Sequence, residues 1–588
     1  MPAGARFCPT CGHNVHGLGD QRRVVTVLFA DLAGFTGISE SLDPESVKNL
    51  VDRCFAALAA DITDHGGLVD KVVGDAIVAL FGAPRAHEDD AERAVRAGLQ
   101  MQRSIAGMAA AIGTPLQLRV GINTGEVLVG ALRAGGDYTA MGDVVNVASR
   151  LQSSARPGTV VVGEATWSAT NRVFDYKDLG PLQARGRDEP VQVWEALEAL
   201  ALPGRRPRRP TTPLVGRTQE LGALQQSVAA SVLRRRPGLV VLVGDAGIGK
   251  SRITEELTDW AACTHDALVL EGRCVPYGQA NPWWPVAEAV RRACGIEGGD
   301  PADLAETKCR QAVASAVGRA AADPDVAQLS AGLMHLMGDE SALRDVDPQR
   351  ARQHGRKALQ VLIAGLARQR PVIISLSEMH WADDMVLELI GSHLDRVAHL
   401  PIVLLLTGRP ELLDRWTPAQ GRHNLVVMHV DPLDPAACRA LIDALLEGTA
   451  SDSLADSLAA RSGGNPLFLE ELASLVAAGS NELPVTLRGI VAARVDHLPA
   501  EERTVLEDAA VVGRSGFLFT LRAMSGARAA AAEADHMIGQ LVGRELLSVE
   551  AGRWQFRSDV VREVVYETLT KSERARRHWQ LAEWICSE

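Results

Sequence analysis

Residues 199–213 read ALALPGRRPRRPTTP, and no other stretch of this 588-residue chain limits its fold as strongly. Each proline fixes φ and removes a backbone donor, so the stretch is neither helix interior nor central strand. It reads as a semi-rigid linker, which obliges the two sides to bury cores of their own. A nucleic-acid or acidic-lipid patch is the alternative reading of its arginines, and the net charge of -12 argues against general nucleic-acid affinity. A chain of this length exceeds one core, so three or four domains are expected. The 46% hydrophobic and 23% charged residues are those of a globular protein. No apolar run approaches the roughly 18 residues that span a bilayer, and the N-terminus has no signal-peptide core. Nine cysteines are scattered singly except for Cys8 and Cys11, the thiol usage of a reducing compartment. The expectation is a cytoplasmic protein with no membrane contact.

Before the linker, helical and strand patterns alternate. VVTVLFADL reads as a strand and DPESVKNLVDRCFAALAADITDHGG as a helix. LVDKVVGDAIVALFG and LQLRVGINTGEVLVGAL read as hairpins, with DDAERAVRAGLQMQRSIAGMAA between them and the helix VVNVASRLQSSA after them. This predicts an α+β domain with helices on a mostly antiparallel sheet. After the linker, GLVVLVGDAGIGKSRITEEL is strand, glycine loop and helix, and further strands follow at PVIISLSE and PIVLLLTGR. That predicts a parallel α/β sheet. From about residue 432 the pattern is helical, with a hairpin turning at Ala-Gly in ELLSVEAGRWQFR. The expected divisions are 1–19 as a partial zinc-ribbon-like stub, 20–200, the linker 201–213, 214–430, and 431–588 as a helical and winged-helix-like region.

Three segments of the first domain carry polar residues that a core would not choose. FADLAGFTGISE puts Asp31 at a strand end before a glycine turn and Thr36, where backbone N–H groups can meet phosphate oxygens. DKVVGDAIVALFG carries Lys71 and, four residues on, Asp75; DYTAMGDVVNVASR carries Thr139, then Asn146 and Arg150 one helical turn apart. Two carboxylates from neighbouring strands can hold two divalent cations for an in-line phosphoryl displacement. An arginine and an asparagine suit the charge that then develops. Lys71 as donor and Thr139 as acceptor complement N1 and N6 of adenine. Guanine would ask for a carboxylate where Lys71 stands. Each residue alone has a plain alternative: Asp31 a helix cap, Asp75 a turn residue, Thr139 a strand former, Arg150 a solvated helix residue.

FADLAGFT, KVVGD, RVGINTGEVLVG and YTAMGDVVNVASR together resemble the class III nucleotidyl cyclase catalytic domain, over about residues 20–200. The resemblance implies a ferredoxin-like α+β fold. It implies Asp31 and Asp75, with Leu32, as the ligands of two Mg²⁺ or Mn²⁺ ions. It also implies Lys71 and Thr139 as the adenine-selecting pair, Asn146 as the ribose-orienting residue and Arg150 as the transition-state arginine. Phe35, Thr36 and Arg185 are implied substrate contacts, Arg185 standing where the family often has a phosphate-binding lysine. Thr139 stands where many members have Asp, and the Thr-bearing subgroup includes bicarbonate-stimulated cyclases. In the family the site lies between two such domains, with metal ligands and the selecting Lys from one and Asn and Arg from the other. A homodimer with two sites is therefore implied, acting on ATP.

GDAGIGKS, Gly244-Asp245-Ala246-Gly247-Ile248-Gly249-Lys250-Ser251, fits the P-loop pattern between a strand and a helix. Its backbone would cradle the phosphates of a bound ATP, Lys250 would reach the β/γ oxygens and Ser251 would ligate Mg²⁺. With LVGRTQELGAL, HWADD, LLLTGRPEL and SGGNPLFLEEL, it resembles the AAA-like module of signal-transduction ATPases over roughly residues 213–500. VIISLSEMHWADD departs from that family, whose strand ends in an acidic pair. Ser377 takes the first acidic place, leaving Glu378 or Asp383 as substitutes, so nucleotide binding with slow or absent hydrolysis is expected. The region beyond 500 resembles the winged-helix-like segment that follows such modules, read as a packing or regulatory element open to a protein partner.

Cys8-x-x-Cys11 in FCPTCGHNVHG is half of a zinc site. His13 and His16 complete it, a dimer mate does, or it is a remnant. The reading of the whole is a regulated adenylyl cyclase. Its rivals are a catalytically silent cyclase-fold scaffold and a transcription regulator switched by the P-loop.

Overall fold

The computed structural model describes residues 21–33, 44–112, 116–131, 138–182, 190–200, 214–274, 282–297, 300–396 except 340 and 345, 399–418, 425–478, 483–526 and 531–587. Cys8, Cys11, Phe35, Thr36, Arg185 and the linker 201–213 lie outside them. The chain divides into two units. The first is Met1–Pro210 with Ser451–Gly463 and Glu471–Glu588; the second is Thr211–Ala450 with Gly464–Glu470.

In the first unit, strands β1 (Gln21–Ala33), β2 (Leu68–Val73), β3 (Ala76–Phe81), β4 (Gln117–Ala131), β6 (Thr159–Gly163), β7 (Phe174–Leu182) and β8 (Val191–Ala199) form one sheet, with β5 (Tyr138–Met141) paired to β4. The order is β2-β3-β1-β4-β6-β8-β7; only β4 and β6 run parallel among these neighbours. β1 shows why the sheet is covered on both faces. Its even residues Leu28, Ala30 and Leu32 join a core with Leu58 and Ile62 of α1 (Pro44–Asp64) and Met101 and Ile105 of α2 (Asp90–Ile112). Its odd residues Val25 and Val27 join a second core with Ala148 of α3 (Asp143–Ser154). Alternation at a period of two sorts the strand between them.

The C-terminal part of this unit is helical, with a small antiparallel sheet β14-β16-β15 (Ser515–Phe517, Arg553–Phe556, Leu547–Glu550). The Ala-Gly turn lies between β15 and β16, where Ala551 (φ 47°) and Gly552 (φ 76°) take the left-handed backbone of a tight hairpin turn. The helix Val485–Asp496 meets the first strand of the sheet. Arg23 grips Asp496 at 2.5 and 3.0 Å, and the amide of Ala86 donates to the same carboxylate at 2.9 Å. Arg488 stands between Glu126 (3.6 Å) and Glu567 (3.4 Å). A cavity of about 470 Å³ lies beside these groups, lined among others by Arg22, Glu126, Arg488 and Glu567. Burial pushes the Asp496 carboxyl up, but Arg23 and Arg503, with the Ala86 amide, hold it below the usual carboxylate range.

The second unit holds an all-parallel sheet ordered β10-β11-β12-β9-β13 (Leu268–Arg273, Val372–Ser377, Ile402–Gly408, Gly238–Val243, Leu425–His429). Every residue of β9 is buried, as a strand covered by helices on both faces requires. The expected boundary at 430 does not follow this division. The chain up to Ala450 and the short stretch Gly464–Glu470 belong with the parallel sheet, while the flanking helices belong to the first unit. Gly464–Glu470 is drawn there by bonds to the P-loop: Asn465 Nδ2 donates to the carbonyl of Ala246 at 2.9 Å, and the Leu467 amide donates to Gly247 at 3.3 Å.

Candidate active site and the P-loop

β1, an interior strand, carries Asp31 near its C-terminal end, and the hairpin β2–β3 delivers Asp75 beside it. Gly74, at φ 64°, and Asp75 form the two-residue turn, and the Leu32 amide donates to the Asp75 carbonyl at 3.2 Å. Burial, then the neighbouring Asp75 charge, pushes the Asp31 carboxyl up; Arg119, opposite it on β4, works against the shift. Two carboxylates pressed together are a donor set that a divalent cation neutralises, so these residues fit the expected metal pair. No group of three or more His, Cys, Asp and Glu side chains suited to a metal occurs among the described residues. Any further ligands at this pair would be backbone carbonyls such as that of Leu32, water and phosphate oxygens.

The same hairpin carries Lys71, and β5 carries Thr139. Lys71 Nζ donates to Thr139 Oγ1 at 3.4 Å, so the two residues proposed to read the purine meet within one chain. Asn146 is exposed and Arg150 half-exposed on α3, whereas Val147, Ala148, Leu151 and Gln152 are buried on the opposite face. Neither the Asn146 nor the Arg150 side chain makes a hydrogen bond or ion pair with another described residue. Two residues past Arg150, Gln152 Nε2 donates to Asp31 Oδ2 at 3.2 Å. The seat of α3 is Gly121: a Cβ there would come within 2.1 Å of the Gln152 amide and 2.5 Å of the Ala148 carbonyl. The site thus has three groups that sequence reasoning missed. Gln152 shows only as a polar residue on the buried face of α3. Gly121 shows only as a glycine inside a strand. Asp70, discussed below, gives no sequence signal of its own.

In the second unit, β9 leads through Gly247 (φ 75°) and Gly249 (φ 103°) into the helix Lys250–His265. Lys250 Nζ is held by the carbonyls of Gly244 (2.8 Å) and Asp245 (2.7 Å), while Ser251 is exposed in the first turn. Arg217, buried, donates to the carbonyls of Ile248 at 3.2 Å and Asp431 at 2.6 Å. The upstream LVGR and the downstream GGNPL segments therefore both brace the loop. Glu378 follows Ser377 at the end of β11 in a left-handed turn (φ 58°). Burial pushes its carboxyl up, but Arg273, His380, Lys250 and Arg409 together hold it below the usual range. Asp383, the other candidate, instead caps a helix by accepting from the Met385 amide at 2.9 Å.

Residues 20–195 match the family described as the adenylate and guanylate cyclase catalytic domain, and residues 213–406 match the AAA ATPase domain. The first domain is a nucleotide cyclase domain. The second is an AAA ATPase domain. The cyclase domain also resembles Adenylate cyclase 1 of Rhizobium meliloti (strain 1021), at 33% identity over 30% of this chain and 28% of that protein. A longer match, 28% identical over 96% of this chain and 56% of the relative, is to the uncharacterized protein R02095 of the same organism. The chain therefore spans about half, or less, of the curated relatives it matches. Among solved structures, the adenylyl cyclase CyaB from P. aeruginosa is 33% identical, covering 33% of this chain and 98% of that one with a TM-score of 0.30. No helix among the described residues is long and apolar enough to cross a membrane.

Proposed function

We propose that the chain is an adenylyl cyclase, converting ATP to 3′,5′-cyclic AMP and pyrophosphate at sites shared between two copies. The observation that carries this reading is the contact of Lys71 with Thr139 of β5, made from the same hairpin whose turn sets Asp75 beside Asp31 of β1. Lys71 donates to adenine N1 and Thr139 accepts from N6. The 3′-oxygen forms a bond to the α-phosphorus as the bond to pyrophosphate breaks, and the hydroxyl proton leaves to solvent. When bound to Asp31 and Asp75, two divalent cations supply a lowered hydroxyl pKa and neutralise the leaving pyrophosphate. Arg150 stabilises charge on the transferred phosphoryl group, and Asn146 orients the ribose. Because Asn146 and Arg150 face outward while Gln152 on the same helix holds Asp31, one chain offers its carboxylates and its arginine in two directions. That supports a pair of composite sites in a homodimer.

Regulation enters through the first strand. The C-terminal helices hold Arg23 near one end of β1, and Asp31 stands near the other. The AAA ATPase domain binds nucleotide and hydrolyses it slowly, because Ser377 lacks the charge of a carboxylate and Glu378 is already engaged by cations. The test is cyclic AMP formation by the full chain with ATP and Mg²⁺ or Mn²⁺, beside Asp75→Ala. Product from the parent chain and at least a hundredfold less from Asp75→Ala is expected. Equal product from both, or none from either, overturns the reading.

A further inference from the structure

We infer that Asp70 is the positioning residue that turns Thr139 into an adenine reader, a role that rests on the adenylyl reading above. A threonine hydroxyl is ambivalent: it has one proton to donate and lone pairs to accept with. Left free to rotate, it accepts from the amino group of adenine N6 or donates to the carbonyl of guanine O6. At position 139 that freedom is removed. Thr139 Oγ1 donates to Asp70 Oδ2 at 3.2 Å, and the same carboxylate oxygen lies 3.2 Å from Lys71 Nζ. An ionised carboxylate only accepts, so it engages the hydroxyl hydrogen and leaves Thr139 with lone pairs alone for a ligand. The setting is closed enough to enforce this: the Asp70 side chain is 5% exposed and Thr139 is 5% exposed. The polarity matches adenine and opposes guanine.

Strand geometry explains how two consecutive residues serve one partner. Neighbours on a regular strand point to opposite faces. Here the register of β2 against β3 slips: Val69 pairs with Ala79 but Lys71 pairs with Val78, so Asp70 is the extra residue of a β-bulge. The bulge re-aims the pair, and both Asp70 and Lys71 reach Thr139.

The test uses the full chain and compares kcat/KM for cyclic AMP from ATP with that for cyclic GMP from GTP, products that the P-loop domain does not form. The parent chain should favour ATP. Asp70→Ala should cut the ATP-over-GTP ratio about tenfold, the effect of one hydrogen bond that no longer has a set polarity. Adding Thr139→Asp to that variant should restore the ratio, because a carboxylate at 139 accepts without help. The same Thr139→Asp change beside an intact Asp70 should do harm, since two carboxylates then meet. Asp70→Asn keeps the side-chain volume and is the second variant if Asp70→Ala unfolds in a melting experiment. An unchanged ratio in the folded Asp70 variants, or a loss that Thr139→Asp does not restore, overturns the role of Asp70 alone. A parent chain that shows no preference for ATP overturns the adenylyl reading, and the role of Asp70 with it, before any substitution is made.

Discussion

The P-loop is a continuous run from Gly244 to Ser251, braced by Arg217 on one side and Asn465 on the other. The cyclase constellation draws on residues as far apart as Asp31 and Arg150, from four strands, a hairpin turn and a helix. In the first site the backbone is the ligand-binding device, so a local motif carries nearly all of it. In the second, side chains from distant segments must be brought to one place by strand register, and one helix must face two ways. A contiguous site tolerates a loosened surrounding fold; a dispersed one fails whenever a register or a helix seat shifts.

The largest expected effect tests the dispersal directly. Asp75→Ala and Arg150→Ala should each be inactive alone, whereas co-expression of the two chains should restore about a quarter of parental cyclic AMP formation, since half the dimers carry one intact site. No recovery in the mixed preparation, with mixed dimers shown by tagged pull-down, would place the whole site within one chain.

Next in size is Asp496→Ala, which leaves Arg23 buried without its carboxylate and should cost about 4 kcal/mol of stability, read by thermal unfolding. The sign of its pH dependence follows from the lowered carboxyl. The Asp496 contribution is present above the ordinary carboxylate pKa near ~4 and is lost as pH falls through the lower folded value. The gap between parent and variant should therefore close on acidification, and a gap that widens in acid would contradict the pairing.

Gly121→Ala should cost about 3 kcal/mol, because the new methyl meets the backbone of α3 rather than a movable side chain. It should lower cyclic AMP formation while leaving ATP binding at the P-loop intact. The smallest effect comes from the contiguous site: Lys250→Ala should weaken binding of a non-hydrolysable ATP analogue to that domain by roughly 2 kcal/mol, without lowering the melting temperature of the first unit. Calorimetry in an Asp75→Ala background separates it from the cyclase site.

What could be read in advance followed the same divide. The strand–loop–helix of the P-loop, the parallel sheet and the Ala-Gly hairpin were legible because period, turn chemistry and glycine spacing are local. Lys71, Asp75, Thr139, Asn146 and Arg150 were legible as a family pattern. Their partners Asp70 and Gln152 were not, since Asp70 depends on a bulge defined by β3 and Gln152 on how closely Gly121 lets α3 approach β4. The same limit explains the boundary near 430. The helical pattern beyond it gave no sign that Gly464–Glu470 would leave its neighbours to brace the P-loop, or that Asp496 would meet Arg23.

By itself, then, the sequence determined the groups carried by each segment: a P-loop pattern, a carboxylate pair, a lysine and a threonine proposed to read a purine, and an arginine on a helix. Residue type and local spacing suffice for that, because they set charge, hydrogen-bond polarity and backbone freedom. Only the tertiary structure decided which groups act on one another. The contact of Asp70 with Thr139, of Gln152 with Asp31, and of Arg23 with Asp496 each depends on side chains 69, 121 and 473 residues apart, which no local rule relates.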